Sequence, residues 1–405
     1  MSDQSRVDRR PGRTLLFGSV THVWNDLFFA LMIPLLPLMR DDPELGLSYT
    51  EVGLLRTGFG TASAVLQIPA AFLAERWGEF WLLIGGNIWV AMGFLAMAAM
   101  ATFGPLFAAT ILGGLGGAAQ HPLATSMVSR AYDDSGHSTA VGTVNFAGDV
   151  GKLLAPLLAL AMAVDLGWRA MMRLVGAAGI AFMVLSGLMH GSFGSERPAR
   201  ARADSHVDSV PEAGLRTGGM MSLGAIGFMD AATRTAALTF VPFVLADRGA
   251  GTREVFALLT LLLAGGAAGK YACGWLADRY GSISLIWWTK GATALLLLAT
   301  LAAPKLAAAP LMLVLGFGLN GTSSVLYAAV ASFAPKGRRA RTYGYYYTVT
   351  ESASIAPFVY GRLADITSLR ATMGVMAFAT ALILPASLLI RRHLAADTTP
   401  ESSGN

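Results

Sequence analysis

The chain has 405 residues, 54% of them hydrophobic and only 14% charged, with a formal net charge of +5 and a mean hydropathy of +0.54. Soluble domains carry about 25% charged residues, so this composition excludes a water-facing globule. The positive residues sit in loops beside apolar runs, which is the pattern of membrane orientation and not of nucleic-acid binding.

Apolar stretches of about 20 residues, the length needed to cross a bilayer, recur along the chain and predict twelve helical spans. Span 1 covers 14–39, behind Arg6, Arg9, Arg10 and Arg13. It is long enough to cross and lacks a small-residue cleavage site, so it reads as a span and not as a signal peptide. Spans 2 to 6 follow at 50–74, 80–101, 104–130, 138–164 and 168–190. The segment 191–216 is rich in Arg, Asp, Glu, Ser and Pro and reads as a flexible linker. Spans 7 to 12 run at 217–246, 252–276, 281–302, 308–333, 340–365 and 370–393, and the tail from Asp397 reads as disordered. The expected fold is an all-α membrane protein: twelve transmembrane helices in two pseudo-symmetric six-helix bundles, 1–190 and 217–405.

Lys and Arg set the orientation. Arg6–Arg13, Arg197–Arg216, Lys336–Arg341 and Arg391–Arg392 fall on one side, against single residues such as Arg40, Arg248 and Lys305 on the other. Both termini and the linker are therefore expected in the cytoplasm. The expected location is a bacterial inner membrane.

The two halves repeat. Glu75-Arg76-Trp77-Gly78 closes span 2 and Asp278-Arg279-Tyr280-Gly281 closes span 8, 203 positions later; Glu51-Val52 and Glu254-Val255 open the same spans at the same offset. Pro156 matches Pro357 and Arg169 matches Arg370, both 201 positions apart. Two parallel repeats of six spans are a transporter architecture, with the substrate expected near mid-membrane at the repeat interface.

Gly274-Trp275-Leu276-Ala277-Asp278-Arg279-Tyr280-Gly281 resembles the Gly-x-x-x-Asp-Arg-x-Gly signature of the major facilitator superfamily. The first-half copy, Ala71 to Gly78, departs from it with Ala71 for the first glycine and Glu75 for the aspartate. The resemblance implies a gate: Glu75, Arg76, Asp278 and Arg279 latch the cytoplasmic side. Gly361-Arg362-Leu363-Ala364-Asp365 resembles the signature too, but falls at the outer end of span 11 and reads as coincidence or repeat remnant. Three further stretches are similar to the fosmidomycin-resistance branch of that superfamily. They are Thr21-His22-Val23-Trp24-Asn25-Asp26 with Ile33-Pro34 and Pro37, then Gly46-Leu47-Ser48-Tyr49-Thr50 with Gly53, and Gly117-Ala118-Ala119-Gln120-His121-Pro122. The branch implies proton-coupled export of small, often anionic compounds, and the family implies a cavity lined by spans 1, 4, 5, 7, 10 and 11.

Ionisable residues at bilayer depth are expensive and mark functional candidates. Span 1 carries His22, Asn25 and Asp26, with His22 and Asp26 spaced i,i+4 on one face. Gln120 and His121 lie on span 4. Span 5 has Asp149 and Lys152 at i,i+3 before Pro156, span 7 has Asp230 and Arg234 at i,i+4, and span 11 has Glu351. Asn320 and Tyr327 lie on span 10, with Tyr346 and Tyr347 on span 11. Asp149–Lys152 and Asp230–Arg234 read equally as structural ion pairs, and His22 as a simple interhelical hydrogen-bonding residue. Asp26 and Glu351, with Asp149 and His121 beside them, are the expected proton-coupling groups. The expected substrate-binding set is His22, Asn25, Arg56, Gln120, Lys152, Asp230, Arg234, Lys270, Asn320, Tyr327, Tyr346 and Tyr347. Within it, Lys152 and Arg234 hold an anionic group, one from each half. Arg56, Lys270 and Lys290 can also snorkel to the interface, Lys290 most readily.

Gly113-Gly114-Leu115-Gly116-Gly117 and Gly265-Gly266-Ala267-Ala268-Gly269 read as close helix contacts. They lack the strand and the Gly-Lys-Ser/Thr ending of a phosphate loop. No catalytic motif, cofactor or Cys/His metal cluster is expected, so energy must come from a gradient. The leading expectation is a monomeric, non-enzymatic, proton-coupled secondary transporter working by alternating access, exporting a small anionic or zwitterionic compound. Proton-coupled uptake of a metabolite is the alternative, and a non-transporting membrane sensor or enzyme the remote one.

Overall fold

The computed structural model describes residues 10–132, 137–192, 216–333 and 339–396, and these residues are helical with short connections. Most of the expected linker and the tail from Asp397 lie outside the described residues. In chain order the helices are α1 (Pro11–Arg40), α2 (Tyr49–Val65), α3 (Gln67–Trp77), α4 (Glu79–Met97), α5 (Phe103–Leu115), α6 (Gln120–Ala131), α7 (His137–Leu158), α8 (Val164–Leu188), α9 (Arg216–Asp247), α10 (Thr252–Tyr280), α11 (Ser282–Ala299), α12 (Ala308–Phe333), α13 (Arg339–Ser352), α14 (Ala356–Ile366) and α15 (Leu369–Ala396). Each predicted span coincides with one helix or with a broken pair. Among the described residues, eight helical segments are long and apolar enough by themselves to cross a membrane.

The breaks have local causes. Span 11 divides where Pro357 opens α14 behind a 3-10 turn at Ala353–Ile355; proline supplies no N–H to continue the ladder. Pro156 near the end of α7 is followed by a π-helical turn, Ala159–Ala163, and the chain turns into α8 at Gly167, whose φ of +78° favours glycine. Span 4 tightens into a 3-10 turn at Gly116–Ala119, within its glycine run.

Contacts divide the chain into two units. The first is Met1–Leu47 with Leu54–Ser205; the second is Ser48–Gly53 with His206–Asn405. In the first unit, Phe17, Phe80, Leu83, Leu123, Val144 and Met183 share one core cluster. Glycines let its helices touch: a Cβ at Gly93 would lie 2.4 Å from the Gly113 Cα, and one at Gly151 would lie 2.3 Å from the Val23 carbonyl oxygen. At one end of this unit Arg169 joins Asp42, donates to Glu44 Oε2 at 2.9 Å and stacks 4.4 Å over the Trp168 ring, while Trp168 Nε1 donates to Asp42 at 2.8 Å.

In the second unit, Leu223, Ile226, Cys273, Val325, Leu326, Tyr346 and Ile383 share a core cluster. The helices α10 and α12 approach each other closely, and a Cβ at Gly265 would lie 1.9 Å from the Leu313 carbonyl oxygen. The first turn of α2 groups with this unit. Ser48 and Glu51 form a reciprocal capping box, with Ser48 N to Glu51 Oε2 at 2.8 Å and Glu51 N to Ser48 Oγ at 3.2 Å. Asp365, at the end of α14, takes the Tyr49 and Thr50 N–H groups at 3.0 and 2.7 Å. The third signature-like stretch therefore ends in a residue that caps a helix.

Candidate functional site

The first unit gathers its membrane-depth polar residues from α1, α6 and α7. Asp26 is buried on α1, one turn after the equally buried His22. Lys152 of α7 reaches Asp26 Oδ2 at 2.9 Å and Asp149 Oδ1 at 3.1 Å. His121, at the start of α6, brings its Nε2 to 3.8 Å from the other Asp26 oxygen, and His22 Nε2 lies 3.6 Å from Oδ2. The two imidazoles meet edge to face at 4.9 Å. One carboxylate thus faces two imidazoles and an ammonium.

The helix α7 comes this close because residue 148 has no side chain. A Cβ at Gly148 would lie 2.6 Å from Asp26 Oδ2 and 2.8 Å from His22 Nε2. Behind the cluster, buried Asn87 donates to Gln120 Oε1 at 3.1 Å, and Gln120 donates to Thr21 Oγ1 at 3.4 Å. Asn25 is buried beside them on α1, and Arg56 is half-buried on α2. His22, Asp26 and His121 offer donor atoms within 4.8 Å of one another, a spacing a metal ion can use. The Lys152 ammonium, 2.9 Å from Asp26 Oδ2, already balances the carboxylate that such an ion would need.

The second unit carries a separate set. Asp230 of α9 does not pair with Arg234. Its partner is Lys290 of α11, wholly buried and also donating to the Gly318 carbonyl oxygen at 3.3 Å. The expectation that Lys290 snorkels to the interface is wrong: it lies mid-helix, with Thr289 and Thr293 buried beside it. That threonine–lysine–threonine stretch is the signal the sequence offered. Arg234 is half-buried and lies near Tyr327 and Tyr346. Tyr327 meets Tyr346 edge to face at 5.3 Å and Tyr347 at 5.0 Å, and Glu351 faces Tyr327 from an exposed position. Asn320 is buried against Gly266, and Lys270 is half-buried on α10.

Of the four expected gate residues, the side chains of Glu75 and Asp278 lie outside the described residues. Arg76 is exposed, and Arg279 is exposed near the Trp275 and Tyr280 rings. The same end of the first unit holds an ion pair the sequence reading passed over, buried Glu79 with Arg130.

Both the sequence and the fold match known proteins. Residues 15–356 match the Major Facilitator Superfamily. The chain belongs to that family. It is therefore a multi-pass membrane protein of a transporter family. Among its relatives, the fosmidomycin resistance protein of Escherichia coli (strain K12) is 28% identical over 168 residues, 42% of this chain and 41% of that protein. The chain thus matches less than half the length of that relative. An MFS-type efflux pump of Mycolicibacterium smegmatis is 26% identical over 368 residues, 86% of this chain and 84% of the pump. The fold is shared with a bacterial homolog of the human lysosomal transporter Spinster, at a TM-score of 0.79 and 17% identity, covering 96% of this chain and 98% of that one.

Proposed function

We propose that this Major Facilitator Superfamily protein is a proton-coupled exporter of a small organic anion in a bacterial inner membrane, working as a monomer with both termini in the cytoplasm. The observation that carries the reading is the Asp26 cluster. Asp26 and Asp149 set two carboxylates against the single ammonium of Lys152, one net negative charge, with the imidazoles of His22 and His121 beside them. A single proton neutralises it, and the His121 side chain, 52% exposed, gives that proton a route in. Asp26 is the central proton acceptor, with His121 and Asp149 as partners.

Arg234 supplies the cation for the substrate's negative group. Guanidinium binds carboxylates and phosphonates through a planar fork of donors, and the Tyr327 ring near it, with Tyr347 against Tyr327 at 5.0 Å, offers an apolar body a surface. Similarity to proteins named for fosmidomycin resistance and for efflux supports export, and makes fosmidomycin a reasonable first probe.

Everted membrane vesicles with an imposed proton gradient test both parts. Adding fosmidomycin is expected to dissipate the gradient with wild-type protein and not with Asp26→Asn. Cells expressing the transporter are expected to tolerate more of the drug. Increased sensitivity on expression would instead indicate uptake, and a gradient response that survives Asp26→Asn removes this carboxylate from coupling.

A further inference from the structure

Lys290 is a buried charge that the proposed transport cycle does not use. It lies in the middle of α11 with no exposed surface, and its ammonium is ion-paired with Asp230 and donates to the Gly318 carbonyl. Asp230 also stands one turn before Arg234 on α9, and i,i+4 is the ordinary spacing for an acid–guanidinium pair on one helix. The carboxylate thus has two cations to choose from. An ammonium sealed away from water carries the larger desolvation penalty when unpaired, so the carboxylate turns to Lys290. Among the described residues, no carboxylate stands within salt-bridge distance of Arg234, which is left facing Tyr327 and Tyr346.

We propose that Lys290 is a positioning residue: by holding Asp230, it keeps that carboxylate off Arg234 and leaves the guanidinium available for the substrate's anionic group. The proposal rests on the reading of Arg234 as the anion-binding cation. It differs from a merely stabilising ion pair in being asymmetric. Removing Lys290 releases Asp230 toward Arg234 and weakens anion binding. Removing Asp230 leaves Arg234 uncontested, and removing both restores what the loss of Lys290 took away. A pair that only stabilised the bundle would respond alike to the loss of either member.

The test begins without a ligand. Melting temperatures of purified protein in detergent are measured for Asp230→Asn, Arg234→Gln and both together, with Lys290 present and with Lys290→Met. The effects of Asp230→Asn and Arg234→Gln are expected to add when Lys290 is present, and to become coupled when it is absent. Coupling already present beside Lys290, or absent without it, overturns the proposal. Should Lys290→Met not fold, Lys290→Gln takes its place, keeping a hydrogen-bond donor at Asp230 without the charge.

The second arm measures fosmidomycin KM in everted vesicles. Lys290→Met is expected to raise it about tenfold, the scale of 1.4 kcal/mol, Asp230→Asn to raise it clearly less, and the double variant to return below Lys290→Met alone. Equal losses from either single variant overturn the proposal. If Arg234→Gln keeps the wild-type KM, or wild type does not respond to the drug, the reading of Arg234 fails. The melting-temperature cycle still decides what Lys290 holds.

Discussion

Gly148 lies against Asp26 so closely that a single methyl group at position 148 would fall 2.6 Å from the carboxylate oxygen. The contact makes α7 a ruler for the site, because three glycines on it face different surroundings. At Gly142 a Cβ meets nothing within 4 Å, at Gly148 it meets the Asp26 and His22 side chains, and at Gly151 it meets the Val23 backbone at 2.3 Å. Gly142→Ala is expected to stabilise the protein by about 0.5–1 kcal/mol through helix propensity. Gly148→Ala is expected to cost about 1–3 kcal/mol from overpacking and to abolish proton-coupled transport. Gly151→Ala is expected to destabilise most, since backbone cannot step aside. Melting temperatures of the three variants, with vesicle transport for Gly148→Ala, check the order.

Lys152 compensates two carboxylates at once, Asp26 at 2.9 Å and Asp149 at 3.1 Å. Removing one partner of a buried pair costs about 3–5 kcal/mol. The Lys152 side chain is 38% exposed, so Lys152→Met is expected to cost less, about 2 kcal/mol. Adding Asp149→Asn returns the cluster to one net negative charge and is expected to recover most of that loss. A double variant no more stable than Lys152→Met would show that the charge balance is not what the ammonium supplies. Chemical or thermal unfolding in detergent reads the difference.

These pairings mark where sequence stops being informative. The spans were legible because crossing a bilayer demands runs of about 20 apolar residues; the division of span 11 ahead of Pro357 came only with the structure. Local pairs such as Asp149–Lys152 were visible from spacing. Spacing cannot say which helix lies opposite, so the meeting of His22 and Asp26 with His121 and Lys152 came only with the fold. It misled at Asp230, where an i,i+4 arginine was outbid by a lysine 60 positions away in the chain. Asp365 was passed over for a related reason: its partners, the Tyr49 and Thr50 N–H groups, are backbone, and backbone partners leave no mark on side-chain patterns.

Asp42 stands outside the spans, joined to Arg169 and Trp168 at one end of the first unit. Burial alone would raise its pKa, but hydrogen bonds from Trp168, the Glu44 backbone and Arg169, with the guanidinium charge, hold it below the ordinary carboxylate value. A depressed folded-state pKa contributes stability that is complete above the unfolded value, about 4, and is lost as pH falls through the folded value. Asp42→Asn is therefore expected to lower the melting temperature at pH 7, by the equivalent of about 1 kcal/mol. The gap to wild type is expected to close in acid. A gap that stays constant from pH 7 to pH 3 would mean that the charge on Asp42 contributes nothing.

The tightest contact in the second unit is reciprocal. A Cβ at Gly265 on α10 would lie 1.9 Å from the Leu313 carbonyl oxygen, and one at Gly316 on α12 would lie 1.8 Å from the Leu262 carbonyl oxygen. Both obstacles are backbone, so no rotamer change relieves them and the helices must separate. In a bilayer, where lipid is as apolar as the interface, helix association depends on this close packing and not on the hydrophobic effect. The same face positions Asn320 against Gly266 and Gly321 against Cys273, so separation disturbs the core on which Lys290 and Asp230 rest. Gly316→Ala is expected to cost on the order of 3 kcal/mol or more, and Gly265→Ala about as much. Gly274→Ala, on the same α10 with nothing within 4 Å, is expected to be neutral or slightly stabilising. Size-exclusion profiles and melting temperatures of the three variants separate a packing surface, which predicts this split, from general intolerance of α10 to substitution, which predicts none.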